Sequence, residues 1–142
     1  MNMKIDLDEI VLTKVSEKDL RFLYNHLKDR DPIAYISHKS MPSYREHVEF
    51  VLSKPYSYWY IIKINQKKIG SIYLSKNNEI GIFLRKEFQE FGIGGFVLEM
   101  LLKKHPRKRF LANISPKNKN SMKFFKNHGF KLIQYTYELE EK

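Results

Sequence analysis

"RKEFQEFGIGGFVLEM", residues 85–100, holds three of the chain's six glycines within four positions, Gly92, Gly94 and Gly95. Glycine gives up more conformational freedom on folding than any other residue, so such a cluster marks a place where the backbone itself has a task. After it, Ile93, Phe96, Val97, Met100 and Leu101 recur at i, i+3, i+4, i+7 and i+8, the apolar stripe of a helix ending near His105 and Pro106. Before it, "NNEIGIFLR" (77–85) alternates Ile80, Ile82 and Leu84 on one face, as a strand does. A strand, a short turn and a glycine-rich helix start together present free N–H groups to an anion. The first four amides of a helix have no internal partner, and the macrodipole adds positive charge there. A pyrophosphate seat is the leading reading; a tight strand-to-helix turn with Gly95 packed on the sheet is the other. Two better-known phosphate loops do not fit. A dinucleotide fingerprint, GxGxxG, would need glycine where Val97 stands, and a P-loop would need Lys and Ser or Thr after Gly95, where Phe96 and Val97 stand.

Outward from this stretch, the remaining elements follow from periodicity and punctuation. "EIVLTKV" (9–15) reads as a strand, and Ser16 with Asp19 forms an Asp variant of the capping box before a helix carrying Leu20, Leu23, Tyr24 and Leu27. Residues 29–42, with two prolines and no period, read as a loop. Ser43 with Glu46 caps a short helix that ends before Pro55. "YSYWYIIKI" (56–64) and "KIGSIYL" (68–74) form a hairpin across a tight turn. Its aromatic run, Tyr56–Tyr60, reads as core more than as a stacking surface. "RFLANI" (109–114) is a strand, 118–129 a helix closed by Gly129, and "FKLIQYTYEL" (130–139) a final strand or pair. The expectation is a single α/β domain over residues 1–142, a mixed and mostly antiparallel sheet of six to seven strands flanked by four helices.

Composition narrows the chemistry. No cysteine is present, which excludes disulfides, thiolate metal sites and a cysteine nucleophile. The five histidines show no ligand spacing, so no metal is expected. The N-terminus lacks a signal pattern, and no apolar run reaches the roughly 18 residues of a membrane span. A soluble, cytoplasmic protein with no membrane association is expected. The net charge is +10, and from Lys103 to Lys131 there are ten Lys or Arg and no acid. Such a stripe suits a polyanionic partner or simply a solvated lysine-rich surface. No nucleic-acid-binding signature accompanies it, so a nucleic-acid partner ranks well below a small anionic one.

Gln89-x-x-Gly92-x-Gly94, after a strand with an acid at its start, resembles the acetyl-CoA motif of the GNAT superfamily of N-acetyltransferases, Arg/Gln-x-x-Gly-x-Gly/Ala. The second family motif, Asn-x-x-Ala/Ser-x-x-x-Tyr/Phe-x-x-x-Gly-Phe, matches Asn118, Ser121, Phe125, Gly129 and Phe130. Element order agrees over residues 9–139, and the N-terminal part looks more like the branch containing ribosomal-protein and nucleotide-sugar acetyltransferases. The resemblance implies a GNAT-like fold and direct acetyl transfer from acetyl-CoA, without a metal, to an amine of a small molecule or a peptide, by a monomer or homodimer. It places the pyrophosphate on the amides of Phe91, Gly92, Ile93, Gly94 and Gly95 with Gln89 nearby, and pantetheine along Ile82, Phe83 and Leu84, where an amide could also serve the oxyanion. Asn118 would hold the pantetheine arm, with Ser121 and Phe125 completing the second motif. Lys117, Lys119 and Lys123 could meet the outer phosphate. Glu79 stands where several members keep a general-base carboxylate; a solvated strand-end glutamate is the bland reading. Phe125 is the departure, because many relatives carry a tyrosine there that protonates the leaving thiolate. Tyr135, Tyr137, His128 or water could replace it. The 29–47 segment, with Tyr35, His38, Ser40, Tyr44 and Arg45, would form the acceptor side. A catalytically weak acetyl-CoA-binding module is the alternative function, and a basic nucleic-acid binder the more remote one.

Overall fold

The computed structural model describes residues 4–30 and 41–141. A two-residue turn organises the sheet. Asn65 and Gln66 both take positive φ, 48° and 66°, the type I′ geometry whose twist matches the strands it joins. Strand β2 (Tyr58–Ile64) thereby returns as β3 (Lys67–Leu74), with Ile64 facing Lys67. Strand β1 (Ile10–Lys14) pairs antiparallel with β2, and β4 (Ile80–Leu84) with β3, giving the order β1-β2-β3-β4.

Among the described residues four α-helices accompany it: α1 (Leu20–Lys28), α2 (Tyr44–Leu52), α3 (Ile93–Lys104) and α4 (Lys119–Asn127). Both capping boxes form. Ser43 and Glu46 open α2 directly, whereas Ser16 and Asp19 close a 3-10 turn from which α1 continues at Leu20. Asp19 is buried, and the Lys68 ammonium 2.7 Å from its carboxylate ties α1 to β3.

Side chains alternate across the strands, so each sheet face collects its own core. On one face Tyr60, Ile62, Ile72, Leu74 and Ile80 pack against Ile93, Val97, Leu98 and Leu101 of α3. Each aliphatic side chain buried this fully contributes about 1.5–3 kcal/mol. On the other face Ile61 meets Leu23 of α1 and Val51 of α2, with Trp59 beside them. The sheet is thus the middle of three layers, and its β4 edge lies beside the start of α3.

The sheet is smaller than the expected six to seven strands. Among the described residues it has four, and 109–114 contributes a single parallel bridge, Leu111 to Glu79. Residues 130–139 form no strand among the described residues. Their β-rich composition is a fitness for a half-buried, paired surface rather than an intrinsic backbone preference. Here that surface is missing: Tyr137 is 90% and Leu139 100% exposed. The mixed α/β architecture with four helices stands.

Candidate active site

The three glycines of the α3 start have three separate jobs. The chain leaves β4 through a 3-10 turn, Lys86–Phe88, anchored by the buried Phe88. It then reaches Gly92, the N-cap of α3, at φ 80°, a left-handed conformation that favours glycine. A Cβ on Gly94 would lie 3.2 Å from the Phe124 ring, and one on Gly95 would lie 2.8 Å from the His128 ring. Gly94 and Gly95 therefore let α4 approach α3. The contact expected of Gly95 with the sheet is replaced by one with α4. No side chain caps α3 and no acid stands in its first turn, so its leading N–H groups and its positive dipole end face outward together. Phe91 beside them is exposed, and Gln89 donates from Nε2 to the Leu84 carbonyl at 3.1 Å, bracing the turn.

The edge of β4 leads towards this helix start. In an antiparallel ladder, successive residues turn both backbone groups alternately to one neighbour and the other. Ser75 N–H donates to Glu79 C=O and Arg85 N–H to Ile69 C=O, both at 2.8 Å, so odd-numbered residues face β3. Ile80 N–H donates instead to Leu111 C=O at 2.8 Å. Ile82 consequently presents its N–H and C=O, and Leu84 its N–H, to the open edge, the Leu84 C=O being taken by Gln89, while Phe83 turns its own groups into the ladder opposite Ser71. The expected row of three backbone contacts at Ile82, Phe83 and Leu84 is an alternating row of two. Beyond Leu111 the 109–114 segment no longer follows β4 among the described residues, which leaves that edge open. His26 of α1 also reaches the Leu84 backbone, and burial outweighs that contact to hold its imidazole below the ordinary value.

Glu79 sits at the start of this edge, half-buried. Its carboxylate accepts from Ser75 Oγ at 3.2 Å and from the Asn113 amide. Arg107 clamps the same turn, donating to Ser75 C=O at 2.7 Å and to Asn78 Oδ1 at 2.9 Å. Glu79, Gly81 and Phe83 share one face of β4, and Tyr73 of β3 lies across Gly81, its cross-strand partner. Tyr56 stacks on Tyr73 with centroids 3.7 Å apart and planes 4° apart, and the Arg30 guanidinium lies 4.0 Å above the Phe83 ring. Burial raises both tyrosine pKa values, Tyr56 well above the usual range. The aromatic run thus divides: Tyr60 is core, whereas Tyr56 joins the site wall.

The second motif builds the start and the buried face of α4. Asn118 is the N-cap of α4 and accepts from Ser121 N–H at 3.2 Å. Phe125 is 6% exposed, wedged between Phe124 and Phe130 at centroid distances of 5.0 and 5.1 Å. Lys117, Lys119 and Lys123 are exposed. Tyr135 and Tyr137 are exposed on the C-terminal segment, and His128 rests on Gly95. Tyr35, His38 and Ser40 lie outside the described residues. Tyr44 packs edge-on against Tyr24 at 5.2 Å, and Arg45 pairs with Glu49 at 3.5 Å on the surface.

Sequence reasoning missed Ser75, Asn113, Arg107 and Tyr73. Only Tyr73 had a signal: Gly81 inside a strand pattern indicates a close approach. Asn113 reaches Glu79 across 34 positions with nothing in its neighbours to announce it. Among the described residues no group of three or more His, Cys, Asp or Glu could hold a metal ion, and no helix is long and apolar enough to cross a membrane.

The profile of the Acetyltransferase (GNAT) family matches residues 20–130. No curated protein sequence matches the chain significantly. Among solved structures, a domain from Methanocaldococcus jannaschii is 25% identical, with a TM-score of 0.78 over 91% of this chain and 92% of that one. A ribosomal L7/L12 alpha-N-protein acetyltransferase in complex with coenzyme A is 17% identical, with a TM-score of 0.70 over 89% of this chain and 82% of that one. Spermidine N-acetyltransferase from Vibrio cholerae, in complex with CoA and spermine, is also 17% identical, with a TM-score of 0.70 over 94% and 86%. The last two likenesses speak for the fold alone. An open β4 edge that leads to an uncapped helix start, two sequence motifs in register with it and a family profile spanning residues 20–130 converge: the chain belongs to the GNAT family of acetyltransferases.

Proposed function

We propose that the protein transfers an acetyl group directly from acetyl-CoA to a primary amine of a small molecule or a peptide N-terminus, with Glu79 as the general base. The observation that supports this most is the alignment of three features along one strand. Glu79 immediately precedes β4, the outward N–H and C=O of Ile82 and the N–H of Leu84 continue the line, and the bare amides of Ile93, Gly94 and Gly95 follow. These parts fit acetyl-CoA, a hydrogen-bonding amide chain tipped by phosphates; it supplies the activated acyl group. The chain's own residues do the rest. Ile82 N–H and C=O would orient the pantetheine amides as an added strand, and the α3 amides would hold the pyrophosphate. Ser75 and Asn113 fix the Glu79 carboxylate where it can take the ammonium proton, since only a neutral amine attacks. We further take the protein to be a cytoplasmic single domain that needs no metal and acts as a monomer or homodimer.

Glu79→Gln tests the assignment. Thiol release with acetyl-CoA and a panel of amino sugars, polyamines, amino acids and peptides should fall about 10²-fold or more in kcat, with acetyl-CoA affinity unchanged. Full activity across pH would remove Glu79 from the mechanism. The buried Phe125, which has no hydroxyl, favours a second reading, a CoA-binding module with weak chemistry. Tight acetyl-CoA binding by the wild-type protein with no turnover over that panel would establish it.

A further inference from the structure

We propose that Tyr73, backed by Tyr56, is the proton donor to the departing thiolate, the role that Phe125 cannot fill; the inference rests on the acetyl-transfer reading above. Phe125 and the side chains offered as its substitutes are placed elsewhere. Phe125 is buried among phenylalanines, His128 covers Gly95, and Tyr135 and Tyr137 stand in solvent. Tyr73 is the tyrosine that lies against the strand carrying Glu79 and Ile82.

Its placement is built into the sheet. Tyr73 and Gly81 face each other across the β3–β4 ladder. A Cβ on Gly81 would meet Cε2 of Tyr73 at 2.2 Å and its hydroxyl oxygen at 2.7 Å. Adding one carbon–carbon bond puts that hydroxyl no more than about 4 Å from the Gly81 Cα. It therefore rests on the backbone beside Ile82, the residue whose N–H opens to the edge, and on the face of β4 that bears Glu79. Any residue with a Cβ at position 81 would push the ring away.

Tyr56 completes a pair. The two rings are parallel and in contact, and their hydroxyls act on each other in opposite senses. Tyr73 holds the Tyr56 proton more tightly, while Tyr56 eases the loss of the Tyr73 proton. Burial keeps both protonated at neutral pH, as an acid must be. Tyr56, stacked in contact with Tyr73, would steady the oxygen left when Tyr73 gives up its proton.

The amine nitrogen forms a bond to the acetyl carbon, and the carbon–sulfur bond breaks with its electron pair left on sulfur. The Tyr73 hydroxyl proton moves to sulfur. The nitrogen, which begins as an ammonium, loses two protons by way of Glu79 and water. One of them restores Tyr73 and the other leaves to solvent. An acylated nitrogen is a far stronger acid than a tyrosine, so the refilling is downhill.

The test compares Tyr73→Phe, Tyr56→Phe and Phe125→Tyr with wild type in thiol release from acetyl-CoA. Tyr73→Phe keeps the ring over Gly81 and should lower kcat 10- to 100-fold with KM for acetyl-CoA unchanged. Tyr56→Phe should cost several-fold, and Phe125→Tyr should bring no gain. With an acetyl thioester of an acidic aryl thiol, which leaves without a proton, the Tyr73→Phe deficit should shrink to less than threefold. A Tyr73→Phe enzyme with wild-type kcat, or with the same deficit for both thioesters, overturns the inference and leaves the acetyltransferase reading intact. A wild-type protein that turns over no acceptor overturns both.

Discussion

Gly81 lies beneath Tyr73, and the tyrosine ring fills the space a Cβ would need, 2.2 Å from its Cε2. Gly81→Ala therefore has to move a half-buried ring that is also stacked on Tyr56. The cost should be about 1–3 kcal/mol, as for other overpacked sites, read by urea denaturation, and it should come with a loss of kcat. Gly95→Ala makes the instructive contrast. Its nearest neighbour is the ring of His128, an exposed residue with room to swing aside, and alanine gains up to about 1 kcal/mol of helix propensity over glycine. Its net stability change should stay within about 1 kcal/mol. Equal and large losses in both variants would show that the ring over Gly81 is not the tighter contact.

At the β2–β3 turn, Gln66 holds φ at 66° although it carries a Cβ. Asn65 tolerates the left-handed region better than glutamine does. Gln66→Gly should accordingly stabilise the protein by roughly 0.5–1 kcal/mol, seen as a Tm higher by about 2–4 °C. A lower Tm would mean that the Gln66 side chain contributes more than its backbone strain costs.

His47 is 5% exposed, and its Nε2 has no hydrogen-bond partner among the described residues. Burial holds its imidazole below the ordinary 6.5, and the same holds for His26 and His105. The unfolded chain then binds protons that the folded chain refuses. Stability should be full above about pH 6.5 and decline as pH falls through the lowered folded values. His47→Leu removes one of the three groups and should flatten the fall of the urea midpoint between pH 7 and pH 5. An unchanged slope would exclude His47 as a contributor.

Local chemistry was the legible part of this sequence. The capping boxes at Ser16 and Ser43, the tight turn of the hairpin and the helix start at Gly92 are each decided within a few residues, and each is where the sequence puts it. Pairing was less legible, because a strand needs a neighbour. Residues 109–114 and 130–139 have the composition of strands, yet one touches β4 only at Leu111 and the other stands in solvent. Within the candidate site, the glycines stood out by spacing and Glu79 by the family resemblance. The Asn113 contact that helps fix the carboxylate, and the tyrosine pair above Gly81, depend on pairing between separate segments. Alternation along β4 also corrected one detail that spacing could not resolve, turning Phe83 inward and Ile82 outward.

The C-terminal segment has a colloidal consequence. Leu132, Ile133, Tyr135, Tyr137 and Leu139 offer solvent a β-prone apolar row of the kind that templates association between chains. The +10 charge opposes this by making any two copies repel. That repulsion weakens as the Debye length shrinks, from about 30 Å at 0.01 M salt to about 3 Å at 1 M, whereas attraction between apolar rows does not. Solutions of this protein should consequently stay clear at low ionic strength and turn turbid as salt is raised, the reverse of ordinary salting-in.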